Sequence, residues 1–196
     1  MLSHLKGIVF DLDGTLVDSA LDFAAMRKET GCPEGMGLLE FIDTLDSVEQ
    51  RSAAEAVIHH YEMQGARQAT WMPGADTLLA GLCAAGIPLG IVTRNSQEAA
   101  ALTLAQLDAP AIPVIAREDA RPKPDPDGLL QFARRWQLPT EHLAYVGDFK
   151  FDIEAARGAG MTAVLYLQSD NGAFAANADL VFSHFDQLAE WLPIDI

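Results

Sequence analysis

Asp11 and Asp13 stand two residues apart at the end of a short apolar run, in the phrase Asp11-Leu12-Asp13-Gly14-Thr15. Thr93, Arg94 and Asn95 follow a second apolar run, and Lys123 sits in Arg121-Pro122-Lys123-Pro124-Asp125. Asp148 and Asp152 belong to Gly147-Asp148-Phe149-Lys150-Phe151-Asp152, one helical turn apart. Any single aspartate in such a place can be a turn or helix-cap residue. Together and in this order they point to chemistry. Four carboxylates on one edge repel, and like charges a few ångström apart stay ionised only with a cation between them. All-oxygen ligands suit a hard cation, and Mg²⁺ characteristically combines one or two carboxylates with water and substrate phosphate. The set therefore predicts Mg²⁺ and a phosphorylated substrate.

The elements that must position these residues are short apolar runs alternating with helical patterns. Strands are expected over 7–10, 89–92, 114–116, 143–146 and 163–166, with a weaker one at 180–182. Helices are expected over 75–85, 96–107 (capped by Ser96), 125–136, 151–157 and 183–191. Such alternation predicts an α/β fold, a Rossmann-like parallel sheet with helices on both faces. Ligands of open α/β sheets bind outside the carboxyl ends of the strands, where all the residues above fall. The stretch 19–71 breaks the rhythm: helices are expected over 21–29, 38–45 and 47–64, the last opened by a Ser47–Gln50 capping box, and no strand. We read 1–18 and 72–196 as the core domain and 19–71 as a small inserted α-helical cap, with hinges at 18–19 and 71–74. Phe23, Met26, Phe41, Tyr61 and Met63 are expected in the interior of the cap or against the core.

This sequence resembles the haloacid dehalogenase superfamily phosphatases, in the branch with a helical cap inserted after the first motif, and its wider phrases resemble phosphoglycolate-phosphatase-like members. The motifs are Asp11-Leu12-Asp13-Gly14-Thr15, then Thr93, then Lys123, then Gly147-Asp148 to Asp152. The resemblance implies Asp11 as nucleophile, forming an aspartyl-phosphate, and Asp13 as general acid and then base. It implies that Thr93, with the backbone N–H of Arg94 or Asn95, holds the phosphoryl oxygens, and that Lys123 neutralises charge on Asp11 and the phosphoryl group. Mg²⁺ would be held by Asp11, the Asp13 carbonyl and Asp148, with Asp152 completing the shell directly or through water. The implied enzyme is a Mg²⁺-dependent phosphatase of a small phosphorylated metabolite. Two alternatives remain: a sugar phosphomutase of the same superfamily, and a non-enzymatic phospho-acceptor of the receiver type. Against the receiver, its acceptor aspartate follows the third strand, whereas here the paired aspartates follow the first. A dehalogenase leaves Asp13 without a task, and a phosphonate hydrolase wants a poised cap lysine.

Charge and composition narrow the partners. Lys plus Arg number 13 against 28 Asp plus Glu, a formal charge of −15. That repels nucleic acid and anionic membrane surfaces, so neither is an expected partner. The two cysteines, Cys32 and Cys83, make no disulfide framework and read as free thiols of a reducing compartment. No signal peptide or membrane span is apparent, so a cytoplasmic location is expected. His59 and His60 lack a third ligand at metal spacing. Arg117 and Arg121 read as surface charge, and Arg27 and Lys28 as cap cations that could meet a second anionic group on the substrate.

Overall fold

A computed structural model describes residues 4–192. The chain begins with β1 (Gly7–Phe10) and β2 (Val17–Asp18), then three helices, α1 (Phe23–Thr30), α2 (Leu38–Asp43) and α3 (Val48–Gln68), and returns through β3 (Thr70–Trp71). From there strands and helices alternate: α4 (Ala75–Ala84), β4 (Leu89–Val92), α5 (Gln97–Gln106), β5 (Val114–Ile115), α6 (Asp127–Trp136), β6 (Leu143–Gly147), α7 (Lys150–Ala159), β7 (Thr162–Tyr166), β8 (Leu180–Phe182) and α8 (Phe185–Trp191).

Six strands form one parallel sheet in the order β5-β4-β1-β6-β7-β8. The strands are apolar throughout because both faces are covered. Side chains alternate between faces, so Ile8 and Phe10 join one core with Leu78 and Leu82 of α4 and Phe185 and Leu188 of α8. Val9 points the other way, into a second core with Phe132 of α6 and Ile153 of α7. After β1 the chain moves outward to β4 and β5, then crosses back to β6 on the other side. That reversal opens a crevice beyond the carboxyl ends of β1, β4 and β6, the place where such sheets bind ligands.

The helices of 19–71 have a small core of their own, built from Met26, Cys32, Leu38, Ile42, Ala54 and Ile58, with Phe41 and Tyr61 against it. Their ends follow local chemistry. Asp22 caps α1 by accepting from Ala25 N–H at 2.9 Å, and Gly31 stops it in the left-handed conformation. The Ser47–Gln50 capping box opens α3.

Three details differ from the sequence reading. A two-residue antiparallel ribbon, β2 with β3, closes the base of the helical stretch, with Val17 opposite Trp71 and Asp18 opposite Thr70. It is too short to register as an apolar pattern. Phe23 is 54% exposed rather than part of a core: it is the first residue of α1, where no preceding turn covers it. Arg27 is engaged within its own stretch: its guanidinium donates to the carbonyls of Pro33, at 3.1 Å, and Met36, fixing the loop after α1. No described helix is long and apolar enough to cross a membrane.

Candidate active site

Strand ends set the geometry. Asp11 follows β1, with its N–H donating to Val146 O at 2.8 Å, so the sheet ladder continues up to this residue. Lys123 reaches it from the loop before α6: its Nζ lies 2.6 Å from Asp11 Oδ1 and 2.6 Å from Asp152 Oδ1. Lys123 and Asp152 are both almost fully buried. The other oxygen of Asp152 accepts from Phe149 N–H at 2.9 Å, which fastens it to the first turn of α7. The Tyr145 hydroxyl stands 3.2 Å from Asp152 Oδ1 and 3.0 Å from Val92 O.

Asp148 completes the cluster. Asp11, Asp148 and Asp152 each offer an oxygen within 4.8 Å of the others. Thr15 donates its hydroxyl to Asp148 Oδ1 at 3.2 Å. Gly14 has φ +78°, and a Cβ there would lie 2.6 Å from Asp148 Oδ2. Glycine is thus required in this loop both by the backbone conformation and by the approach of Asp148.

Asp13 lies apart from these three. Its carboxylate accepts from the Ser19 hydroxyl and, at 2.6 Å, from the Asn95 side-chain amide. Any part Asp13 has in metal binding therefore falls to its main-chain oxygen. Thr93 and Asn95 are buried at the end of β4, and Asn95 N–H donates to Thr93 Oγ1 at 3.1 Å. Arg94 turns toward the helical stretch. Its Nη2 lies 2.7 Å from each oxygen of Glu40 on α2, its Nη1 donates to Lys123 O, and its guanidinium covers the Phe151 ring at 4.8 Å.

The electrostatics are those of a site lacking positive charge. Burial pushes the Asp11 carboxyl well above the carboxylate range; Lys123 opposes this, and the neighbours Asp152 and Asp148 add to it. Asp148 is pushed up to about 7, first by burial and then by Asp152. Asp13 is raised to about 6, chiefly by burial, with Ser19 pulling it down and Glu62 pushing it up. Lys123 keeps its proton: burial is the largest influence and pulls its pKa down, but Asp11 and Asp152 together outweigh it. With all three clustered carboxylates ionised against one ammonium, two negative charges would be uncompensated, which adds to burial in making Asp11 and Asp148 hold their protons more tightly. A divalent cation fits that deficit and that donor set.

Several neighbours had no recognisable signal in the sequence. Glu62, in the middle of α3, is 4% exposed and takes Arg117 on both oxygens, at 2.6 and 3.2 Å, while Oε2 also accepts from Ser96 N–H at 3.3 Å. Arg117 is therefore a brace between helix α3 and the sheet, rather than surface charge. Arg121 does lie at the surface, 72% exposed and paired with Asp125. Gln168 donates to Gly14 O at 2.6 Å, and Asn171 to Asp148 O at 2.8 Å. The loop after β7 thus supports both the Asp11–Thr15 loop and Asp148.

The sequence model of the haloacid dehalogenase-like hydrolases matches residues 8–166. A haloacid dehalogenase-like hydrolase domain-containing protein of Arabidopsis thaliana is 34% identical over 81% of this chain and 69% of its own length. A phosphoglycolate phosphatase of Xanthomonas campestris is 32% identical over 94% of this chain and 95% of its own. A hydrolase from Pseudomonas syringae superposes with a TM-score of 0.81 at 26% identity, over 94% of this chain and 98% of that one. The sheet order, the residues gathered at its crevice and these likenesses agree: the chain belongs to the haloacid dehalogenase-like hydrolase family.

Proposed function

We propose that this hydrolase is a Mg²⁺-dependent phosphatase that acts on a phosphomonoester of a small metabolite through an aspartyl-phosphate on Asp11. The observation that carries the reading is the placement of Lys123, 2.6 Å from Asp11 and 2.6 Å from Asp152 within the cluster of Asp11, Asp148 and Asp152. Lys123 holds Asp11 Oδ1, so the other carboxylate oxygen is the one to attack phosphorus. That attack splits one difficult displacement into two easier ones. Asp13, with a pKa of about 6, is suited to give a proton to the departing alkoxide and then to take one from water. Ser19 and Asn95 hold its carboxylate in one orientation. The Thr93 hydroxyl and the Lys123 ammonium would receive phosphoryl oxygens as charge develops on them.

Asp11, Asp148 and the Asp13 main-chain carbonyl would hold Mg²⁺, with Asp152 behind them orienting Lys123. When bound, the ion offsets carboxylate charge and polarises the phosphoryl group. Helices α1–α3 would act as a cap, excluding bulk water from a small substrate and obstructing a macromolecular one. The small phosphorylated substrate is also what the phosphoglycolate phosphatase likeness supports.

The test is a screen of metabolite phosphomonoesters with and without Mg²⁺. Release of inorganic phosphate only with the metal is the expected result. Isomerised sugar phosphate without release would replace this reading with a mutase, and no reaction with any ester would overturn it.

A further inference from the structure

The cations at the seam between cap and core are engaged by cap carboxylates. Arg117 is held on both oxygens of Glu62, and Arg94 on both oxygens of Glu40. Arg94 also donates from Nη1 to Lys123 O and lays one face on the Phe151 ring. This matters because Arg94 follows Thr93 directly and bonds the backbone of Lys123, so it borders the place a substrate's phosphate would occupy. A guanidinium there is the group best shaped to grip a carboxylate, through two parallel hydrogen bonds. Glu40 closes both oxygens on one arm of that fork, Nη2, each at 2.7 Å, while the other arm, Nη1, is held by Lys123 O.

Building on the phosphatase reading, we propose that Glu40 is a specificity-determining residue: it withholds Arg94 from the substrate and selects phosphomonoesters whose alcohol portion carries no second anionic group. A substrate carboxylate entering here meets the Glu40 carboxylate itself. It must displace Glu40 from Nη2, in a partly buried ion pair, before it can bond there itself, and like charge brought into a confined site is unfavourable. A neutral or cationic alcohol portion meets no such barrier. The other cation of this rim, Lys150, lies with its Nζ over the rings of Phe149 and Phe151, at 5.8 and 5.1 Å. It is a single flexible charge without a fork, so it does not replace Arg94. The chain would then differ in substrate from the relatives named phosphoglycolate phosphatase, although it shares their fold.

The probes are 2-phosphoglycolate and 2-hydroxyethyl phosphate, which differ only in a carboxylate against a neutral hydroxymethyl group. Steady-state kcat/KM is measured with Mg²⁺, and binding by calorimetry in the Asp11→Asn background, for otherwise unaltered protein, Glu40→Ala, Glu40→Gln and Lys150→Ala. The hydroxyl ester should be preferred by the native enzyme. Glu40→Ala should move the ratio toward phosphoglycolate by about tenfold or more, as expected for one new hydrogen bond between charged groups. Glu40→Gln should move it in the same direction, and Lys150→Ala should leave it unchanged. A native preference for phosphoglycolate, a ratio indifferent to both Glu40 variants, or one that follows Lys150 instead would overturn the proposal. Turnover of neither ester nor of any other phosphomonoester in the screen, with the calorimetric preference intact, would overturn the phosphatase reading and leave the selectivity standing. Binding of neither would overturn both.

Discussion

The side-chain amide of Asn95 donates to Asp13 Oδ2 at 2.6 Å, across 82 positions of sequence. The bond ties the end of β4 to the loop after β1 and fixes which way the Asp13 carboxylate faces. A proton-transfer group must be held in place before its pKa is of use.

Asp13 should divide substrates by the basicity of the leaving group. An alkyl phosphate departs as a strongly basic alkoxide and needs the acid, whereas a nitrophenyl phosphate departs as a weakly basic phenolate. With a pKa of about 6, Asp13 loses its proton above that pH, so kcat/KM for alkyl phosphates should fall as pH rises past about 6. For the aryl ester the fall should be shallower. Asp13→Asn should release one equivalent of nitrophenolate in a burst and then stall, losing about 10²–10⁴-fold in turnover. Rapid quench and intact-mass measurement read the burst and the phosphate retained on Asp11. Phosphate found on another residue would refute the nucleophile.

Metal and pH should act together on stability. Asp148 has a folded pKa of about 7 against an ordinary 3.8, so the folded protein binds a proton that the unfolded chain gives up. Without metal, stability should therefore be highest below about pH 4 for this group and decline as pH rises to about 7. Mg²⁺ at a hundredfold excess over its Kd should restore roughly 2.7 kcal/mol, read as a rise in Tm of roughly 5–10 °C. Thermal melts in EDTA and in Mg²⁺ across pH 4–8 check this. Asp148→Asn should flatten the pH dependence and abolish the Mg²⁺ shift.

Lys123→Ala should cost about 10²–10³ in kcat, because a buried charge aimed at the reacting group is lost. Arg121→Ala, two residues away, should stay near native activity: its partner Asp125 is met at the surface, where solvent and salt screen the pair. Equal losses in steady-state rates would dissociate this loop from the chemistry.

Glu62→Gln should destabilise the protein by about 1–3 kcal/mol, because Arg117 is left in a partly buried place without its carboxylate. Arg117→Met in the same background should recover part of that loss. Urea unfolding of the four proteins gives the coupling, and additive losses would mean that the pair contributes nothing beyond its separate residues.

The sequence carried the sheet and the strand-end residues because both depend on local pattern. Apolar runs ending in Asp11, Thr93 or Asp148 can be read in a few residues, and Asp11, Asp148 and Asp152 do converge. What escaped reading depends on partners far along the chain. Nothing near Glu62 in α3 tells that Arg117, 55 positions on, will close on it. Asn171 looks like an ordinary turn residue until Asp148 O is beside it. Phe23 looks like core because it is aromatic, but it is the first residue of its helix, where packing rather than residue type decides exposure. Arg27 looks like a substrate cation, yet three nearby backbone and thiol acceptors use it first.

The ribbon of Val17–Asp18 with Thr70–Trp71 makes the helical stretch leave and re-enter the sheet domain at one point. Its two ends are already joined, so apart from the side-chain ties at Glu62 and Glu40 the length of what lies between them does not strain the sheet. Helices could be added, removed or exchanged there at small entropic cost, since doubling such a loop costs only about 0.6 kcal/mol. The sheet can thus keep one chemistry while the segment above it is rebuilt for another molecule, with selectivity residues such as Glu40 replaced as a set.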